Sequence, residues 1–260
     1  MSGGTVWCRG VYVVMEGAAP RYRGNWRTCL VSGFVQPTLL LLALGLGVGG
    51  LINGNPQARG FGDGLPYLDY LAPAMLVVGA VQTAVGEAIH PVMTGLNGER
   101  TYQTTVATPI TPAQLAVGHV LWVGARIAVT TLCTCVAVLA LTDVPAGLAL
   151  LAAFAAFLCG TAFATALSAL AVMTAEGTGL ITVVTRVVIL PMVLLSGAFF
   201  PSTLLPDWVH PIAWLLPVRH GVELARGGDG GVLTHLGYLL AFLAAGTALT
   251  VHHFRRRLTT

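Results

Sequence analysis

Three charged side chains lie inside long apolar runs of this chain: Glu87, Arg126 and Arg186. A charge in hydrocarbon costs roughly 2.5–3.5 kcal/mol on insertion scales, so each must face protein, water or an opposite charge. Glu87 stands near the end of the run Leu71–Met93. Arg126 stands near the start of the run Leu115–Leu141. If a polar hairpin joins those runs, the two residues sit at similar depth. The spacing predicts a Glu87–Arg126 ion pair, with Arg186 as the competing partner. Such a pair can fix helix register or act as a polar relay across the apolar layer.

Other chemistry-bearing patterns point away from catalysis. Gly45, Gly47 and Gly50 satisfy G-x-G-x-x-G, the dinucleotide fingerprint, which needs a short strand before it and a helix after it. Here the run from Cys29 is already helix length before Gly50, and a loop follows. The same letters contain Gly45-x-x-x-Gly49, the spacing that lets membrane helices approach closely. These two glycines are therefore expected to form a helix-packing face.

All 13 basic residues are Arg, so the phosphate-binding G-x-x-x-x-G-K-[ST] loop, which needs a lysine, cannot be written. His90, His119, His210, His220, His235, His252 and His253 show no metal-binding spacing, and the cysteines show none either. Ser168 and Ser196 have no evident His/Asp partner at matching depth, so an intramembrane hydrolase is weakly supported. No catalytic, cofactor or metal residue is assigned.

The elements that must hold these residues follow from composition. The chain has 260 residues, 55% hydrophobic and 9% charged, against about 25% charged in soluble domains. This predicts a single all-α integral membrane domain over residues 1–260. Six runs reach the length of about 20 residues that a spanning helix needs. They are Cys29–Ile52, Leu71–Met93, Leu115–Leu141, Ala146–Thr174, Leu180–Phe200 and Val232–Phe254. A cytoplasmic N-terminus puts eight Arg in inside segments and three outside, as the positive-inside rule requires. Both termini are then cytoplasmic.

Residues 1–28 mix aromatics with Arg and do not read as a signal peptide. They predict a helix lying in the membrane interface, broken near Pro20 and Gly24. Residues 29–254 hold the spans and 255–260 a basic tail that meets lipid heads. A net charge of +3 gives no argument for nucleic acid.

Two connections stand out. In "GERTYQTTVATPITPAQ", Gly98 and Pro109 bracket about ten residues, which predicts a short helix in the cytoplasmic hairpin. In "FFPSTLLPDWVHPIAWLLPVRHGVELARGG", four prolines exclude a long helix, and Pro206 and Pro217 can each start a short one. Arg219–Glu223 and Glu223–Arg226 have helical pair spacing, Gly227 suits a C-terminal cap, and Trp208 and Trp214 suit the membrane boundary. This predicts short re-entrant external helices between spans five and six.

With these stretches and "YLDYLAPAMLV" at residues 67–77, the chain resembles the membrane subunit of ABC-2 type transporters, most nearly the nodulation-factor-export and daunorubicin-resistance branch. The resemblance implies a bacterial plasma-membrane permease without its own ATPase site. ATP and Mg would bind a separate ABC ATPase subunit. A second permease copy or sister subunit would complete a path for hydrophobic or amphiphilic cargo such as a drug, lipid or lipid-linked glycan. It further implies that Glu99, Arg100, Thr101, Tyr102, Thr108 and Pro109 belong to the coupling helix that docks on the ATPase. Phe199, Phe200, Pro201 and Trp208 would belong to the external gate. The rival reading is an ATP-independent carrier or channel.

Overall fold

The computed structural model describes residues 3–30, 35–54, 65–98, 101–174, 183, 187–201, 204–228 and 231–259. Among them every regular element is helical. Glu99, Arg100 and Arg186 lie outside the described residues.

The helices are α1 (Gly3–Leu30), α2 (Gln36–Leu42), α3 (Gly49–Asn53), α4 (Tyr67–Met93), α5 (Thr101–Val106) and α6 (Pro112–Leu141). Then come α7 (Ala146–Met173), α8 (Ile189–Leu195), α9 (His210–Trp214), α10 (Pro217–Ala225) and α11 (Val232–Thr259). Wide π-type turns join α2 to α3 over Ala43–Val48 and extend α4 over Thr94–Gly98.

Four helical stretches among the described residues are long and apolar enough to cross a membrane: Tyr67–Gly98, Pro112–Leu141, Ala146–Met173 and Val232–Thr259. The first apolar run forms a shorter helical stretch, Gln36–Ile52. Cys29 and Leu30, assigned to that span from sequence, instead end α1. Part of the fifth run lies outside the described residues, and α8 is its described helix.

α4 is the centre of the bundle. Every residue from Tyr70 to Val81 is buried, as expected of a helix that is apolar all round and surrounded by others. Its main neighbour is α7, whose small side chains Ala149, Ala152, Ala153, Ala155 and Ala156 are buried. Gly160 marks the closest approach: a Cβ there would lie 2.9 Å from Ala80 Cβ and 3.1 Å from Ile127 Cγ2. Three helices meet where one side chain is absent. On the outside of α6, Leu121, Val129, Leu132, Val136 and Leu139 form an exposed apolar stripe at helical spacing, the face that suits lipid.

Two sequence expectations about the ends need correction. α1 runs unbroken through Pro20 and Gly24. Its earlier turns are held on α6, where Val11 is buried and Gly118 leaves room for Val14. One lost backbone hydrogen bond at Pro20 does not end a helix so anchored. α6 starts at Pro112, before the apolar run, because Thr111 and Gln114 form a capping box that satisfies the first free N–H groups.

Candidate functional site

Chemistry-bearing side chains gather at three levels: within the bundle, at the α4–α6 hairpin end, and at the opposite end where α4 begins.

Within the bundle, Arg126 Nε and Nη2 donate to Glu87 Oε1 at 3.1 and 2.9 Å. The Arg126 side chain is 7% exposed and that of Glu87 20%. The pair joins α4 to α6, the partners that the sequence spacing predicts. Both bonds converge on one carboxylate oxygen, so this is a pinched contact and not a two-oxygen fork.

At the hairpin end, α5 spans six residues, a short helix between Gly98 and Pro109. Tyr102 is its buried residue, and it faces inward. Its ring lies 5.7 Å from that of Phe254 on α11, tilted by 53°. Gly95 is pressed against the same ring, with 2.9 Å from an added Cβ to Tyr102 Cε2. Tyr102 is thus the anchor of α5. Gln103, Thr104, Ala107, Thr108 and Pro109 form the exposed side, while Thr101 is half-buried.

Phe254 also faces His119, 6.3 Å between rings, and His119 Nε2 lies 3.1 Å from Ser168 Oγ. Sequence spacing gave Ser168 no partner, but α6 and α7 bring one. The pair does not make a hydrolytic centre. Ser168 is 1% exposed, so a substrate carbonyl has no approach. Nearby, Gln114 Nε2 donates to Trp7 O at 3.2 Å while its Oε1 accepts from Thr111 N at 2.8 Å. One amide therefore ties α1 to the start of α6.

At the opposite end, three successive carbonyls after α8 are captured by side chains from distant sequence. Gly197 takes the left-handed conformation, φ 82°, which turns the chain and presents them. Gly197 O accepts from Arg226 Nη1 at 2.9 Å and from Tyr70 OH at 3.3 Å. Ala198 O accepts from Arg226 Nη2 at 3.1 Å, and Phe199 O accepts from Tyr67 OH at 3.1 Å. The Arg226 guanidinium also lies 3.9 Å from the centre of the Tyr70 ring. Phe199, Phe200 and Pro201 follow directly, all half-buried, while Trp208 is exposed.

Arg226 follows α10, which Pro217 starts and a Schellman turn ends. Gly228 N donates to Glu223 O and Gly227 N to Leu224 O, with Gly227 at φ 67°. Pro206 starts no helix; Pro211 stands in the first turn of α9 instead. The ion pairs anticipated along α10 do not form among the described residues: Arg226 bonds the carbonyls of Gly197 and Ala198, and the ion pair among those residues is Glu87–Arg126. Carbonyls already fixed in a turn are ready partners for the two donor nitrogens of Arg226.

α10 is joined to α11 by a histidine pair. His220 Nδ1 lies 2.8 Å from His235 Nδ1, and His220 Nε2 lies 2.7 Å from Trp214 O. A carbonyl only accepts, so Nε2 carries the proton and the Nδ1 of neutral His220 accepts from His235. The Tyr238 ring stacks on His220 at 3.9 Å, and its hydroxyl donates to Leu215 O at 2.6 Å. Burial is the main cause that lowers the His220 pKa, and the charges of His235 and Arg219 lower it further. Its bond to Trp214 and the charge of Glu223 act the other way.

Gly45 and Gly49 pack within the chain. A Cβ on Gly45 would run into Leu68, and one on Gly49 would touch Tyr67 at 3.5 Å. Gly47 and Gly50 have open space. Among the described residues, no three His, Cys, Asp or Glu side chains could hold a metal ion.

The stretches that build the two ends also decide the family. The family model for "ABC-2 type transporter" matches residues 10–228. The chain belongs to the ABC-2 type transporter family. This ABC-2 protein is 29% identical over 236 residues to Nodulation protein J of Sinorhizobium fredii (strain NBRC 101917 / NGR234), covering 88% of this chain and 86% of that protein. It is 30% identical over 237 residues to Nodulation protein J of Rhizobium leguminosarum bv. viciae, covering 88% and 87%. This ABC-2 chain is a membrane-embedded transport subunit.

Proposed function

We propose that this chain is the permease half of an ATP-driven exporter in a bacterial plasma membrane. It has six spans and both termini in the cytoplasm. Two such halves, identical or sister subunits, enclose a path for hydrophobic or amphiphilic cargo: a drug, a lipid or a lipid-linked glycan. A separate ABC ATPase binds ATP and Mg and docks on α5 and its flanks, Glu99–Tyr102 and Thr108–Pro109. Phe199, Phe200 and Pro201, with Trp208, form the external gate.

The observation that carries this reading is the family match over residues 10–228. The geometry supports it. α5 presents an exposed polar side while Tyr102 roots it in the bundle, the form a docking helix needs to pass on a push. The Tyr67–Tyr70–Arg226 clamp holds the turn at the far end of α4. The Glu87–Arg126 pair keeps α4 and α6 in register between them.

The test is co-purification with the ATPase encoded beside this gene, with Thr104, Thr108 and Pro109 changed to Ala. Loss of the complex with the fold intact supports docking there. Cargo transport by the lone chain without ATP overturns the reading.

A further inference from the structure

α11 is an element that touches both ends of the bundle. Near one end its Phe254, wholly buried, meets Tyr102 of α5 and His119 of α6. Near the other its Tyr238 and His235 hold His220 of α10, and Tyr238 also bonds Leu215 just after α9. Between them the helix is continuous and without proline.

Its middle has one tight contact. A Cβ on Gly246 would run into Thr165 of α7, and Thr250 Oγ1 donates to Thr165 O at 2.7 Å. Gly246 lies eight residues from Tyr238 and eight from Phe254, about 12 Å each way at 1.5 Å per residue.

α11 packs along one face, against α6, α7 and α10. Its buried residues Leu239, Gly246, Thr250 and Phe254 form one narrow stripe, and the rest of its residues are exposed or half-buried. A stiff rod held along one line, with its closest approach at mid-length, can pivot there.

We infer that α11 is a lever: Gly246 against Thr165 is its fulcrum, Tyr102 moves it through Phe254, and His235 with Tyr238 carries the motion to α9 and α10. Phe254 and Tyr238 are positioning residues that link ATP-driven movement of α5 to the external segment. This rests on the exporter reading above, and it names the route by which that exporter's two ends communicate. The physical requirement is one element whose position both ends bias, and α11 meets it.

The test uses the permease–ATPase complex in liposomes. Ile212 on α9, which is half exposed, is changed to Cys with Cys8, Cys29 and Cys133 changed to Ser. The labelling rate with a membrane-impermeant maleimide is measured without nucleotide and after trapping with ATP, Mg and vanadate. The parent is expected to show a nucleotide-dependent rate. Phe254→Ala and Tyr238→Ala are expected to lose that dependence while the complex still hydrolyses ATP, and Phe254→Leu to keep it.

Retention of the full dependence in Phe254→Ala overturns the lever. If that variant does not fold, retention in Tyr238→Ala overturns it equally. A complex that hydrolyses ATP yet shows no nucleotide dependence in the parent also overturns it, while leaving the exporter standing. Failure of any ATPase to bind overturns the exporter reading and the lever together.

Discussion

Arg226 lies over the ring of Tyr70, 3.9 Å from its centre, and both side chains bond the carbonyl of Gly197. One guanidinium thus joins the residue after α10, the start of α4 and the turn after α8.

Replacing Arg226 with Lys should not preserve this junction. An ammonium has no planar fork to serve two adjacent carbonyls and stacks poorly on a ring. Hydrogen bonds to charged groups are worth about 1.5–3 kcal/mol, so Arg226→Lys is expected to cost about 2 kcal/mol. Denaturation in mixed detergent micelles measures this, and a midpoint equal to the parent's would refute it.

The buried ion pair gives a second expectation. Removing one partner leaves an uncompensated charge, which costs about 3 kcal/mol or more, while removing both is far milder. Glu87→Gln and Arg126→Gln should each lower stability strongly. The double variant should be more stable than Arg126→Gln, which strands the carboxylate. A double-mutant cycle on the same denaturation assay yields the coupling, and strict additivity would show that the pair does no work.

This pair was legible in the sequence because unlike charges in apolar runs have few places to go. The destination of Arg226 was not. Its partners are backbone carbonyls, which have no letter of their own, and helical spacing offered Glu223 as a decoy. Tyr102 was legible as a hairpin residue but not as an inward one. What turns it inward is Phe254, which lies 152 positions away and arrives only when α11 packs. Pro20 misled in the opposite sense, since local propensity was overridden by packing of the turns before it. The His119–Ser168 contact had no sequence signal beyond two polar residues in apolar runs.

Gly160 was also invisible among the alanines of α7, yet it sets a helix spacing. Gly160→Ala must push a methyl into Ala80 and Ile127, and overpacking of this kind costs about 1–3 kcal/mol. Gly86 on α4 has nothing within 4 Å of an added Cβ. Gly86→Ala should therefore be neutral or stabilising by up to about 1 kcal/mol. Parallel melting curves of the two variants test the contrast, and equal shifts would contradict it.

The histidine pair predicts an acid-sensitive junction. The His220 pKa is lowered from the ordinary 6.5, first by burial, so the folded state favours the neutral ring. Its contribution is fully present above 6.5 and is lost as pH falls from there through the lower folded value. The groups facing it are His235 and Tyr238 from α11, Trp214 from α9, and Arg219 and Glu223 from α10 itself. Thermal stability of the parent should fall more than that of His220→Gln between pH 7 and pH 5. Parallel pH profiles for the two proteins would rule this out.

The amide of Gln114 has a further consequence. Its oxygen closes the first turn of α6 and its nitrogen holds the carbonyl of Trp7, while Gly10 and Gly118 let α1 and α6 lie against each other there. α1 cannot slip along α6 by a turn without breaking the Gln114–Trp7 bond. The leading helix is therefore a collar fastened to the bundle at a fixed height.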